Sequence, residues 1–544
     1  MKYREICKIL GKYLFCFTFI LFIPLAVSIY YEYIHPDAGP SSSFAFFETI
    51  IVSTVLATAL LFFGRKATET LRRKESIFLV VVIWLLSCIL AACPFYFSNT
   101  LENPFDACFE SMSGLTTTGA TVMYPKAYNA SGKEIPIQCT NFHVPEKTYT
   151  YFGTIKPFRD PQTQLIKATG IEAVSRGILF WRCFIQWLGG MGIVVLFLAI
   201  LPTLSVGGKF LFEMEVPGPV KETLTPKIKD TASILWKLYL VLTIAQVYLL
   251  ILTNPKMPLF DAFCITFSTL STGGFSVQNQ SIAGYHNPYT DWVVIIFMIL
   301  GSLNFSIYFQ IMRKKWRQIY EPDLLFFLSI IFFGALFVSF YLIGQERVCL
   351  DGSKGIYTFA EALRDGTFQA VSAQSSTGFV TIDYDFWPYA PQLALLLLMF
   401  VGGMSGSTAG GIKTSRFYIL FKITHHKLES LFRPERVHKL KIGDREIDEK
   451  TMGIVLTFFF IAIGCAAFGV FLLVMDGIDP ETSLGAIACM MNNVGFAFRA
   501  AGPAFSFAFF SDFSKVISIL WMLLGRLEFF AVLLLCLPSF WKRA

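Results

Sequence analysis

Three observations predict an all-α polytopic membrane protein. Charged residues make up only 15% of the 544-residue chain, against about 25% in soluble domains. Hydrophobic residues reach 54% and aromatic residues 16%, and mean hydropathy is +0.58. Uninterrupted apolar runs attain the roughly 20 residues that a helix needs to cross a bilayer; they include residues 76–98, 178–202, 234–253, 291–311 and 452–475. A pattern of apolar span, short semi-polar stretch and second span then occurs four times. The pattern predicts four span–loop–span repeats within one all-α chain.

The first run follows MKYREICK and extends through Tyr31. It is too long for a signal-peptide core and lacks a small-residue cleavage site, so it reads as a retained span. Basic residues cluster at Arg65, Lys66, Arg72, Arg73 and Lys74, at Arg313, Lys314, Lys315 and Arg317, from Lys422 to Lys450, and at Lys542 and Arg543. The alternate segments 34–43 and 476–482 contain neither Lys nor Arg. The positive-inside rule therefore places the clusters and the N-terminus in the cytoplasm. The long mixed-charge loop 123–177 falls outside. The twelve cysteines show no metal-like spacing; Cys139 and Cys349, both in outer loops, are either a disulfide or two free thiols.

The four semi-polar stretches read FDACFESMSGLTTTGATV (105–122), FDAFCITFSTLSTGGFSV (260–277), EALRDGTFQAVSAQSSTGFVTI (361–382) and SLGAIACMMNNVGFAFRA (483–500). Each begins with about ten residues of helical character, too few to span, and then collapses into small polar residues around a glycine. Thr118-Gly119, Thr272-Gly273, Thr377-Gly378 and Val494-Gly495 align. Non-helical backbone at membrane depth must be buried in protein or line water. Four such segments around one axis make a ring of carbonyl oxygens able to replace a cation's hydration shell. The residues expected to form it are Thr117, Thr118 and Gly119; Ser271, Thr272 and Gly273; Ser376, Thr377 and Gly378; and Asn493, Val494 and Gly495. Neutral oxygens without paired carboxylates suit a monovalent ion better than Ca²⁺ or Mg²⁺. Asp106, Glu110 and Asp261 fall early in their half-helices, where an N-terminal or packing role is expected.

ESMSGLTTTGAT, QWLGGMGIVVL with AILP, STLSTGGFS, GGMSGSTAGGIKTSR, LLGRLE and EVPGPVKETLTPKI (215–228) resemble the TrkH-type members of the Trk/Ktr/HKT potassium-transporter superfamily. The resemblance runs from about residue 105 to 528 in family order. It implies that the four repeats are M1–pore loop–M2 repeats around one pore, plus two extra N-terminal transmembrane helices. The divisions are then an N-terminal two-helix domain (1–75) and pore repeats at 76–205, 206–318, 319–440 and 441–544, with the extra helices near 9–31 and 44–64. Glycine at all four filter positions is what the potassium-selective branch carries. The fourth loop departs from the family: GFAFRAAGP brings Phe496, Phe498 and Arg499, which predict a bulkier and more basic outer mouth.

The stretch GSTAGGIKTS (406–415) imitates a phosphate-binding loop. Gly406, four residues and Gly411 fit the pattern, but Ile412 intrudes before Lys413 and Thr414. A true phosphate loop follows a strand within an α/β domain, whereas this one follows the apolar run 391–401. The resemblance implies instead that Gly406, Ser407, Thr408, Ala409, Gly410, Gly411 and Lys413 form an intramembrane gate, with Arg526 beside it. Arg526 falls near the middle of the last apolar run (513–540), where an unpaired charge costs about 2.5–3.5 kcal/mol. A packing pair with Glu528 is the weaker account, since helix positions two apart do not face each other. Lys413 either ends the gate loop inside the cavity or anchors the next helix at the cytoplasmic surface.

The implied function is potassium uptake across a bacterial inner membrane through a gated, channel-like pore, with K⁺ as transported ligand, no bound cofactor and no catalysed chemistry. A Na⁺- or H⁺-coupled symporter is the alternative. An ATP-driven pump needs a soluble nucleotide domain, and no cytoplasmic segment exceeds about 40 residues. The implied partners are a second copy of the chain, a TrkA-type cytoplasmic nucleotide-binding regulatory subunit and the bilayer, with no nucleic acid. The basic segment 422–450 is either a docking surface or a solvated inner loop.

Overall fold

The computed structural model describes residues 2–34, 39–67, 71–129, 131–140, 147–160, 163, 165–192, 228–314, 322–433, 441–442 and 445–542. The AILP segment, the stretch 215–227, Lys315, Arg317 and part of the basic segment 422–450 lie outside the described residues.

Two N-terminal helices, α1 (Tyr3–Ile29) and α2 (Ser43–Gly64), pack side by side. A Cβ on Gly11 would meet Leu61 at 2.8 Å, and one on Gly64 would meet the Lys8 backbone at 2.6 Å. Thr18 bonds Ser53 and Ser28 bonds Ser42, both at 2.7 Å. These contacts run in opposite senses along the two helices, so the pair is antiparallel. Small residues let the backbones approach closely where lipid supplies no hydrophobic drive.

Six described helices are long and apolar enough to cross a membrane, or seven if one bent pair counts as a span. α3 (Arg73–Phe97) is the inner one, with 67% of its most apolar stretch buried. α14 (Glu449–Met475) is buried over only 22% of the equivalent stretch. Its Phe460, Ile463, Phe468 and Phe471 are exposed, as a lipid-facing surface requires. α6 (Ile228–Thr253) and α10 (Pro322–Leu342) are the corresponding outer helices of the middle of the chain.

Four short helices follow these spans: α4 (Pro104–Leu115), α7 (Leu259–Leu270), α11 (Phe359–Gln374) and α15 (Pro480–Asn492). At 12 to 16 residues and 1.5 Å per residue, none crosses a bilayer. Three have side-chain caps. Asn103 and Asp479 each precede a proline at the first helical position, and Thr358 forms a capping box with Glu361. These are the start signals that favour a helix with an abrupt beginning.

The helices after the four loops differ from the sequence expectation. α5 (Arg176–Gly190) ends at the glycine pair. The run 291–311 is two helices, α8 (Pro288–Ser302) and α9 (Phe305–Met312), at 91°. α12 (Tyr389–Phe400) stops before the glycine-rich loop, and α13 (Thr414–Phe432) starts after it. The last run is broken too: α16 (Asp512–Arg526) and α17 (Phe530–Cys536) flank Glu528 and Phe529, both at positive φ. A break was expected only in the third repeat. Hydropathy sees one apolar run in each case, because a helix break needs no polar residue when its freed backbone groups find partners inside the protein.

Between α4 and α5, β1 (Ala127–Tyr128) pairs with β2 (Glu134–Ile135), β3 (Ile137–Thr140) with β4 (Thr148–Tyr151) and β5 (Phe158–Arg159) with β6 (Ile166–Ala168). Tyr149 ties the second hairpin to the start of α15, donating to Asp479 at 2.7 Å and accepting from its N–H at 2.9 Å. Cys139 and Cys349 are both free thiols.

Candidate ion pathway and inner loop

Beyond each short helix the backbone takes the same turn. Thr117, Thr272, Ser376 and Asn493 have φ of +53° to +56°. The next residue donates its N–H five residues back: Thr118 to Ser113, Gly273 to Ser268, Thr377 to Ser372 and Val494 to Cys489, at 2.8 to 3.1 Å. The residue after that is a glycine with positive φ: Gly119, Gly274, Gly378 and Gly495. Four non-glycine residues in a left-handed conformation, two of them β-branched, cost about 1–3 kcal/mol each. Such strain repeated at one position of four segments marks a functional element.

This register corrects the sequence alignment in the second loop. Ser271 is the C-cap of α7, as Thr116 is of α4 and Ser375 of α11. The equivalents of Thr117, Thr118 and Gly119 are Thr272, Gly273 and Gly274. STGG offers two glycines, and only the fold reveals that they serve different ends. Gly274 supplies the positive φ, whereas Gly273 makes room for Gln186, whose Cδ would lie 2.5 Å from an added Cβ.

The four turns interlock. A Cβ on Gly119 would lie 2.0 Å from the Gly273 carbonyl oxygen, one on Gly274 1.9 Å from that of Thr377, one on Gly378 1.9 Å from that of Val494, and one on Gly495 2.5 Å from that of Thr118. The sequence of contacts returns to its start. Each strand thus holds its neighbour's carbonyl against a glycine Cα, in a closed cycle of four that no side chain can enter.

Charged residues buttress the cycle from behind. Arg182 and Glu110, 1% and 0% exposed, pair at 2.7 Å. Glu110 also accepts from Thr121 and Val122, and Arg182 donates to the Ser276 carbonyl at 2.8 Å while stacking 3.6 Å from the Phe275 ring centre. One pair therefore braces the return strands of the first two loops. Asp106 pairs with Lys515 at 2.5 Å and Asp261 with Arg176 at 3.6 Å. All three acids expected to serve packing roles face protein partners.

The outer side of the fourth loop is not the basic mouth expected. Arg499 lies in the protein wall, 2.7 Å from Glu481 and 2.9 Å from Asp385, with a further bond to Gln392. Phe496 and Phe498 are buried against Tyr384, at ring separations of 5.1 and 5.4 Å. The bulk and the charge are held within the protein, where Tyr384 and Asp385 and, from the start of α15, Glu481 receive them.

Below the cycle lies the loop 401–413. Its ends are joined by a parallel bridge between Val401 and Ile412, and Thr414 donates back to the Gly402 and Gly403 carbonyls. Its tip reaches the ends of α7, α11 and α15. The Thr408 hydroxyl lies 2.9 Å from both the Leu270 and Gly301 carbonyls. The Gly410 N–H donates to Ser376 Oγ at 2.5 Å, and a Cβ on Gly410 would be 2.4 Å from the Asn492 carbonyl oxygen. Gly406, at φ +74°, accepts from the Phe305 N–H at the bend between α8 and α9. Ser407, Ala409 and Gly411 complete the tip; Ala409 is 2% exposed and its carbonyl accepts from Lys413 Nζ. Lys413 is 3% exposed, so it closes the loop inside the protein rather than anchoring a helix at the surface.

Arg526 ends α16 and links these parts. Its guanidinium donates to Thr117 Oγ1 and the Thr408 carbonyl, both at 3.2 Å, to the Gly190 carbonyl at 3.1 Å, and to the Gly189 carbonyl. Glu528 is held by Arg416 at 2.5 Å. Sequence reasoning missed Gly274, Arg182 and the role of Gln186. Only the doubled glycine and the polar residues within an otherwise apolar helix signalled them.

A family model described as a cation transport protein, TrkH, matches residues 159–543. The Trk system potassium uptake protein TrkH of Salmonella typhimurium (strain LT2) is 30% identical over 550 residues, covering all of both chains. TrkG of Escherichia coli (strain K12), also named a Trk system potassium uptake protein, is 30% identical over 545 residues, covering 99% of each. The crystal structure of the potassium transporter TrkH from Vibrio parahaemolyticus superposes with a TM-score of 0.78 at 28% identity, over the full length of both chains. These are transporters, not enzymes. With more than half its length matched by the family model, and with polytopic relatives of the same length and fold, the chain belongs to the TrkH family of cation transport proteins.

Proposed function

We propose that this protein takes up potassium through a single channel-like pore whose selectivity filter is the cycle of four loop segments. The supporting observation is that cycle of glycine-to-carbonyl contacts, which lines a common axis with neutral oxygens suited to a monovalent cation. The relatives' names, potassium uptake proteins, supply the ion. Ions would enter down the electrochemical gradient, driven by roughly 2.3 kcal/mol per charge for each 100 mV. The loop 401–413 is the gate: it bonds to the filter from below, and Arg526 fastens it while adding a cationic barrier. The membrane is a bacterial inner membrane with the N-terminus cytoplasmic. The working form is a homodimer regulated by a TrkA-type nucleotide-binding subunit, which fits the relatives' designation as parts of a Trk system.

The test is ⁸⁶Rb⁺ uptake into liposomes containing only this chain, driven by a K⁺ gradient without ATP. Uptake insensitive to sodium and to pH gradients supports the passive potassium pore. Uptake that requires a Na⁺ or H⁺ gradient replaces it with the symporter. No uptake even after deletion of Gly410 and Gly411 refutes the gated pore.

A further inference from the structure

We propose that Gln186 is a specificity-determining residue of the filter, an amide clamp that makes one of its four carbonyls unlike the rest; this rests on the pore reading above. Gln186 is fully buried on α5, one helical turn from the bracing Arg182. Its Nε2 donates to the Gly273 carbonyl at 2.7 Å, and its Oε1 accepts from the Phe275 N–H at 3.1 Å. A primary amide is suited to bond both groups at once, because it carries donor and acceptor on one planar end. The Gly273 oxygen is also the one seated against Gly119 in the cycle. The equivalent oxygens of Thr118, Thr377 and Val494 have no side-chain donor among the described residues.

The position itself is built for apolar side chains. Gly189, Gly301 and Gly525 each face a carbonyl near the end of a short helix, those of Leu115, Leu270 and Met491, two residues before the left-handed Thr117, Thr272 and Asn493, which sets the register of three of the helices. Three residues before each stand Gln186, Met298 and Met522; in α12 Met399 stands three residues before Gly402, a match by sequence pattern alone, since Gly402 faces the Gly410 carbonyl. The three methionines are fully buried. A buried amide costs several kcal/mol unless its groups are bonded, so a glutamine here is stable only because the filter backbone satisfies it.

The consequence is ionic. A carbonyl held by a donor cannot swing inward to meet a smaller ion, and part of its charge is already engaged. Gly273, with no side chain, and the clamp then keep the second strand at the spacing that suits a larger, weakly hydrated cation. Gln186→Met, which installs the residue of the other three helices, frees the carbonyl and opens space beside Gly273.

The experiment is ⁸⁶Rb⁺ and ²²Na⁺ uptake by the full-length chain in liposomes, per reconstituted protein, for the unaltered protein and Gln186→Met. The clamp predicts retained Rb⁺ uptake with the Rb⁺-to-Na⁺ ratio reduced about fivefold, the worth of one hydrogen bond. Gln186→Leu, which is close in size and carries no donor, is the second variant, and predicts the same loss of ratio. An unchanged ratio in a variant that accumulates and transports overturns the proposal, because a residue that only packs would alter the amount of folded protein and not the choice of ion. Failure of both variants to accumulate also overturns it, in favour of a folding role. If the unaltered chain itself shows no selective uptake, the pore reading fails instead.

Discussion

Replacing Arg526 with glutamine isolates the fastening of the inner loop. The guanidinium bonds the Thr117 hydroxyl and the carbonyls of Gly189, Gly190 and Thr408. Of these, only Thr408 belongs to the loop proposed as the gate. A hydrogen bond from a charged donor contributes about 1.5–3 kcal/mol. Its loss shifts the closed-to-open equilibrium roughly 10- to 150-fold toward open. Removing the positive charge lowers the barrier to cations in the same direction. ⁸⁶Rb⁺ uptake into liposomes, without any partner protein and normalised to reconstituted chain, should therefore rise by about tenfold or more for a pore that is closed most of the time. An Arg526→Gln protein that melts like the unaltered chain yet takes up Rb⁺ at the same rate refutes the fastening role.

Three further outcomes follow from the geometry. Gly274→Ala forces a Cβ to within 1.9 Å of the Thr377 carbonyl oxygen at φ +78°, so uptake should fall to about a tenth or less, a loss of the order of a backbone strain of 1–3 kcal/mol. Gly453→Ala, with nothing within 4 Å of its added Cβ, should leave uptake intact; equal uptake by both variants would disprove the filter register. Glu110→Gln leaves Arg182 buried without its countercharge and should lower stability by about 3–5 kcal/mol, read as a lower melting temperature in detergent, with an unshifted melt contradicting the brace. Asp479, the N-cap of α15, has its carboxyl raised by burial but lowered more by bonds from Thr482 and Tyr149, for a net value below the ordinary 3.8. A depressed folded pKa stabilises fully above the unfolded value and loses that stability as pH falls through the folded one. Protease resistance of the β3–β4 hairpin should hold at neutral pH and disappear only in strong acid, and Asp479→Asn should remove that acid step.

Much of the architecture was legible without coordinates. Composition, apolar run length and the fourfold recurrence of a short helix followed by a glycine are one-dimensional quantities, and bilayer thickness converts them directly into spans and half-spans. The loop 401–413 was legible as a stretch of small residues in an apolar setting, and Arg526 as a charge where charge is expensive. The glycine at the centre of each loop was legible in three of four cases. In STGG the chain alone could not say which glycine bends and which makes way.

What the tertiary structure decided concerns contacts between residues far apart in the chain. The helix breaks at Leu303 and Leu527 leave no mark in hydropathy, because freed backbone groups are satisfied inside the protein, at Leu303 by the loop residues Met404, Gly406 and Thr408 and at Leu527 by a tight local turn. Arg499 reads as a basic mouth until Asp385 and Glu481 are seen to hold it. Lys413 reads equally as buried or exposed until the Ala409 carbonyl receives it. Gln186 is one polar letter in an apolar helix until Gly273 and Phe275 come against it. The sequence by itself determined that the chain is polytopic and where four short helices give way to glycine-bearing turns, since those depend on local apolarity and on glycine's conformational freedom. Only the tertiary structure decided which carbonyl meets which neighbour, because that depends on four segments, each more than 100 residues from the next, closing in one cycle.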